Sequence, residues 1–183
     1  AGAEDFVFTA AEVARVDVEH VDAVVEWVDS LPRGELGRPS VTAHAVVTHA
    51  GHSVRESILR LGPGIAAVLT APLDADPRAG TVLLLNSGSE KHIGPGRRWV
   101  ELARELAAEH GLRVLRTDYR GMGESVDALS GPRDPYDPLL HAAADEVIEA
   151  VWPVVTGPLV VVGSCSSAYH LAGCHSERPS GAV

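Results

Sequence analysis

The stretch Leu159-Val-Val-Val-Gly-Ser-Cys-Ser-Ser-Ala-Tyr-His170 joins a short apolar run to a run of small residues. A continuous run such as Leu159 to Val162 marks a strand buried on both faces. A sharp turn at Gly163 to Ser167 then leads into a helix. Strand, tight turn and helix around G-x-nucleophile-x-small is the setting of a nucleophile elbow. The turn is strained, so the residues two before and two after its apex must not clash. Gly163 meets that demand, and Ser167 is small although not Gly. Counting places Cys165 at the apex. A frame centred on Ser164 puts Val162 in a small-residue slot. A frame centred on Ser166 has Ser164 and Ala168 there and stays open. A thiol at a helix N-terminus is biased toward the thiolate and needs less help from a base than a serine hydroxyl does. The plainer reading, a small buried residue in a strand-to-helix turn, also stays open on these residues alone.

Upstream of this turn, strands and helices alternate. Thr81 to Asn86 is another continuous apolar run. Gly96 to His110 reads as a helix with Trp99, Val100, Leu102, Ala103, Leu106 and Ala107 on one stripe, and Gly111 as its C-cap. Leu112 to Thr117 is the next strand. Asp118 to Pro135 is a Gly-rich polar crossover, and Asp137 to Trp152 is a helix that turns Leu139, Leu140, Ala143, Val147, Ile148 and Val151 inward. Such alternation predicts βαβ units and a mostly parallel sheet with helices on both faces. Before it, Ser53 to Leu61 and Ile65 to Thr70 flank Gly62-Pro63-Gly64 and predict an antiparallel hairpin, preceded by the β-branched run Val41 to Thr48. Val21, Val24, Val25 and Val28 share one face of a helix over about Thr9 to Leu31, with Thr9 and Glu12 as a capping box. Its acidic face reads as solvated surface, and Pro32 to Ser40 as a linker.

Two further loops carry polar groups. Asn86-Ser87-Gly88-Ser89-Glu90 follows the first parallel strand. Acyl transfer needs two backbone N–H groups aimed at a developing oxyanion. By position these are Ser166, next after the apex, and Ser89 in the Gly88 loop; a plain βα turn is the alternative. Glu90 and His92 are candidate pocket residues. Asp118-Tyr-Arg-Gly-Met-Gly-Glu-Ser125 has neither the Gly-Lys-Ser/Thr of a Walker loop nor G-x-G-x-x-G. It reads as a structural corner in which Asp118 and Arg120 bond loop backbone around Gly121 and Gly123.

In this order the motifs resemble the α/β-hydrolase superfamily. Leu83 to Glu90, followed by His92, Gly94, Pro95 and the Trp99 helix, is similar to its serine aminopeptidase-like, exosortase-associated branch. There the elbow can read Gly-x-Cys-Ser-Gly-Ala; Gly163, Cys165, Ser166 and Ala168 match, and Ser167 stands where the pattern has its second Gly. The resemblance covers about Val41 to Val183. It implies a truncated α/β-hydrolase fold, with residues 1–40 unassigned and 41–183 the N-terminal portion of the domain. It implies hydrolysis of a small-molecule ester, thioester or amide through Cys165 with no cofactor. A non-catalytic binding relative, or an inactive fragment, is the alternative. Family triads run nucleophile, acid, His. After Cys165 only His170, His175 and Glu177 remain, and His170, on the flank of the elbow helix, is not where the family's base sits. The acid and base are therefore expected beyond Val183, with Ser180 to Val183 opening the next strand and little turnover by these residues alone.

Composition narrows the partners. A formal charge of −10, with Lys91 the only lysine, argues against nucleic acid or an anionic membrane as a partner. No run of about 18 apolar residues is present to span a bilayer. Cys165 and Cys174 on one helix would point to roughly opposite faces, so no disulfide and a reducing, cytoplasmic setting are expected. His44, His49 and His52 cluster without companion Cys or carboxylates, so no metal site is assigned.

Overall fold

The computed structural model describes residues 18–31, 42–88, 90–125, 139–174 and 181–182. The chain divides into two units, residues 1–40 and 41–183. In the first, helix α1 spans Val18–Ser30. Its valine face is exposed at Val21, Val24, Val25 and Val28. The predicted cap at Thr9 and Glu12 lies outside the described residues, as does the Pro32 to Ser40 linker.

The second unit is built on one seven-stranded sheet. Its strands are β1 (His44–His49), β2 (His52–Leu61), β3 (Ile65–Pro72), β4 (Thr81–Leu84), β5 (Arg113–Thr117), β6 (Leu159–Val162) and β7 (Gly181–Ala182). They lie in the order β1-β2-β3-β5-β4-β6-β7. The first three are joined by hairpins, and β3 pairs antiparallel with β5. β5, β4, β6 and β7 are mutually parallel. The hairpin turn falls at Gly62 to Gly64, as its glycines predict, and a further strand stands at Gly181–Ala182, within the stretch expected to open one.

Helices cover both faces. On one, α2 (Arg98–His110) lays Trp99 and Ala103 on Val82, Leu84 and Val114. A one-turn 3-10 segment, Pro95–Arg97, precedes it, so the helix begins two residues later than the expected Gly96. Gly111 caps it at φ 68°. On the other face, α3 (Leu139–Val151) packs Ala144, Val147, Ile148 and Val151 on Ile65, Leu83, Leu115 and Val161. Alternate residues of each strand thus feed two separate cores, which is why the strands read as unbroken apolar runs. α4 (Ser166–Ala172) follows β6 directly.

β4 lies at the centre, with β5 on one side and β6 on the other. Connections leaving β4 and β6 therefore depart from neighbouring carboxyl ends toward opposite sides, the arrangement that opens a crevice in α/β sheets.

Candidate functional site

Cys165 ends the β6 turn and caps α4, with φ 56° and ψ −121°. Only three described non-glycine residues have positive φ, and the other two are Ala50 and Arg97. A side chain is rarely held in that region unless its surroundings enforce it. Two features enforce it here. A Cβ on Gly163 would sit 2.7 Å from the backbone of Ser167 and Ala168, so only glycine lets β6 pass so close to α4. Ser167, fully buried, donates its hydroxyl to the Ser164 carbonyl at 2.9 Å and accepts the Ser164 N–H at 2.8 Å. The thiol of Cys165 is thereby presented at an exposed apex.

Ser166 connects this turn to the β4 loop. Its buried hydroxyl accepts the Gly88 N–H at 2.6 Å. The two backbone segments that the sequence singles out are thus joined, although Ser89 itself lies outside the described residues.

Behind them sits a buried hub on Asp118. Oδ1 accepts the Asn86 side-chain amide at 2.9 Å and the His92 backbone N–H at 2.6 Å. Oδ2 accepts His92 Nδ1 at 2.8 Å and the Glu124 N–H at 3.1 Å. Both ends of the β4 loop are tied to one carboxylate. Burial pushes the Asp118 pKa up, but the bonds from His92, Glu124 and Asn86 outweigh it and hold the carboxyl below its usual value. An ionised carboxylate only accepts, so the His92 proton is on Nδ1. Asn86 also donates to the Glu90 carbonyl at 2.8 Å and accepts the Tyr119 N–H at 2.6 Å. Ser125 donates to the Asp118 carbonyl at 2.6 Å. Gly123, at φ 52°, leaves room where a Cβ would collide with the Asp118 carboxylate. Gly121 N–H closes the loop on the Ser125 carbonyl at 2.9 Å. The Arg120 guanidinium pairs with Glu146 on α3, with Nε to Oε1 at 2.9 Å. Glu90 is exposed and takes part in this network through its backbone, whereas His92 is buried.

No family model and no curated relative matches the sequence. Solved structures do. The chain is similar to a proline iminopeptidase of Mycobacterium smegmatis, with TM-score 0.50 and 23% identity over 69% of this chain and 41% of that one. It is similar to an acetyl xylan esterase from Paenibacillus sp. R4, with TM-score 0.53 and 14% identity over 90% and 56%. A cold-adapted esterase from an Arctic intertidal metagenomic library matches with TM-score 0.50 and 15% identity over 75% and 62%.

The fold is that of the α/β-hydrolases.

Of these three α/β-hydrolase structures the chain spans between 41% and 62% of the length. The histidines among the described residues that the sequence singles out fall in three places. His49 and His52 face each other across the β1–β2 register, and His44 stands at the far end of β1. His92 belongs to the Asp118 hub. His170 is not on the flank of the elbow helix but buried beneath it, with Nδ1 3.3 Å from the Tyr119 hydroxyl. That bond accounts for a polar ring under α4, which helical spacing alone does not reveal. His175 and Glu177 lie outside the described residues.

Among the described residues, one group of metal-ligating side chains converges: His92, Asp118 and Glu124, with ligand atoms within 4.8 Å of one another. Asp118 already accepts four N–H donors, so the group reads as a hydrogen-bond hub. Neither cysteine is in a disulfide. They do not share a helix: Cys165 precedes α4 and Cys174 follows it. Burial, then the nearby Asp145, pushes the Cys174 thiol up to about 12. No helix among the described residues is long and apolar enough to cross a membrane.

The sequence points to Cys165, Gly163 and Asp118 and misses Asn86, Ser125 and the Ser166 hydroxyl. A buried Asn closing an apolar strand, as after Leu85, was the available signal for the first.

Proposed function

We propose that residues 41–183 form the front portion of an α/β-hydrolase domain that transfers acyl groups from a small-molecule ester, thioester or amide, in a cytoplasmic, reducing setting. Residues 1–40 remain outside this assignment. The observation that carries the reading is the φ and ψ of Cys165, 56° and −121°, at an exposed apex between a buried strand and a helix. That conformation stores strain that a structural cysteine has no need of.

In this reading the Cys165 sulfur attacks the carbonyl carbon, and the C=O electron pair moves onto oxygen. The Ser166 and Ser89 N–H groups stabilise that oxyanion. Collapse expels the alcohol, thiol or amine, which leaves with a proton. Water then attacks the thioester and frees the acid. The acid and imidazole that assist both proton transfers are proposed to come from sequence following Val183, as the family's chain order implies. Glu90 and His92 border the β4 loop side of the substrate. No cofactor enters these steps.

The test is acylation by p-nitrophenyl acetate. Intact mass and peptide mapping are expected to find one acetyl group on Cys165 and none in Cys165→Ala. Release of nitrophenolate is expected to stop near one equivalent, because deacylation lacks its base. An acetyl group mapped to Ser166 or Cys174, or no adduct at all, would overturn the assignment. A chain that still folds and binds a small molecule without acylation would favour the non-catalytic reading.

A further inference from the structure

Two arginines at the other end of the sheet face a cavity without a carboxylate. Arg55 projects from β2, and Arg113 opens β5. With Ser57, Leu69, Pro72 and Leu73 they line a cavity of about 240 Å³. No acidic side chain is among the lining residues. Four other arginines pair with carboxylates: Arg104 and Arg116 bind Glu56, Arg97 binds Glu101 and Arg120 binds Glu146. Neither Arg55 nor Arg113 makes such a pair among the described residues. The Arg113 Nε–H is buried and has no hydrogen-bond partner. The one acceptor its guanidinium meets is the Val154 carbonyl, at the long distance of 3.5 Å from Nη2. The Arg113 guanidinium thus brings to the cavity a positive charge that no carboxylate among the lining residues balances.

We propose that this cavity is a binding site for a small oxyanion, a phosphate or carboxylate group. The Arg113 and Arg55 guanidinium groups supply charge-assisted hydrogen bonds, and the Ser57 hydroxyl supplies a further donor. Its place in the fold separates it from the elbow. Arg113 pairs with Thr81 at the amino ends of β5 and β4. Cys165 and Gly88 lie past the carboxyl ends of β6 and β4. The site therefore holds an effector ion, or an anionic group on a second molecule, and it does not rest on the acyl-transfer reading.

The experiment is a titration of the 183-residue chain with inorganic phosphate and, separately, with acetate, each at ionic strength matched by sodium chloride. The readouts are the arginine Nε–Hε resonances and the thermal midpoint. Saturable movement of the Arg113 resonance and a raised midpoint are expected. A response to phosphate alone marks a phosphate site, and a response to acetate alone or to both marks carboxylate recognition. Arg55→Gln, a change at an exposed position, is expected to weaken binding by about tenfold or more, as is Ser57→Ala to a smaller degree. An Arg113 resonance unmoved by either anion, or an equal response in Arg55→Gln, overturns the proposal.

Discussion

Ser167 holds the elbow by a different device from the glycine of its family's pattern. Its hydroxyl both donates to and accepts from Ser164, closing the turn on itself. Ser167→Gly would restore the pattern yet remove both bonds and free the backbone. It is expected to lower stability by about 1–2 kcal/mol, read by urea unfolding, not to raise it. Gly163 and Cys165 were legible because their demands are local: the turn sets them within a few residues. The contribution of Ser167 depends on where the turn aims a hydroxyl, which residue type alone does not specify. Asp118 was legible as a structural corner. That it gathers His92 from 26 residues away was not.

Between elements, Glu56 is the corresponding tie. It stands on β2 and binds Arg104 of α2 at 2.8 Å and Arg116 of β5 at 3.0 Å. Thus a helix and two strands meet at one carboxylate. Arg116 is almost wholly buried in β5. The apolar runs predicted β4 and β6 because burial on both faces leaves a compositional trace. The partner that permits a buried arginine lies 60 residues earlier and leaves none. Burial works to raise the Glu56 pKa, but Arg104 and Arg116 outweigh it and the pKa is lowered from 4.5; Asp118 is lowered from 3.8. Carboxyls depressed by folding stabilise above their unfolded pKa and lose that contribution as pH falls through the folded one. Stability is thus expected to drop on acidification below about pH 4.5. In Glu56→Gln and in Asp118→Asn that drop should be shallower when unfolding is measured from pH 7 down to pH 3. At neutral pH, Glu56→Ala is expected to cost about 3 kcal/mol, because it leaves Arg116 buried and unpaired.

For the molecule as a whole, the sheet keeps its two candidate sites at opposite ends of the parallel strands. Alkylation by iodoacetamide at pH 8 is expected to reach Cys165 at least about tenfold faster than Cys174, whose raised pKa keeps it a thiol. The rate at Cys165 should be the same in Arg55→Gln; a change there would mean that the two ends communicate. The same contrast between the thiols has a consequence for oxidation. Peroxide converts an exposed thiol to a sulfenic acid, which a neighbouring thiolate can normally capture as a disulfide. Here the second sulfur stays protonated and half-buried beyond α4. Cys174 is thus poorly suited to resolve a sulfenic acid at Cys165. A thiol supplied from outside is therefore expected to capture the Cys165 sulfenic acid as a mixed disulfide, before further oxidation to the sulfinic acid that thiols do not reverse.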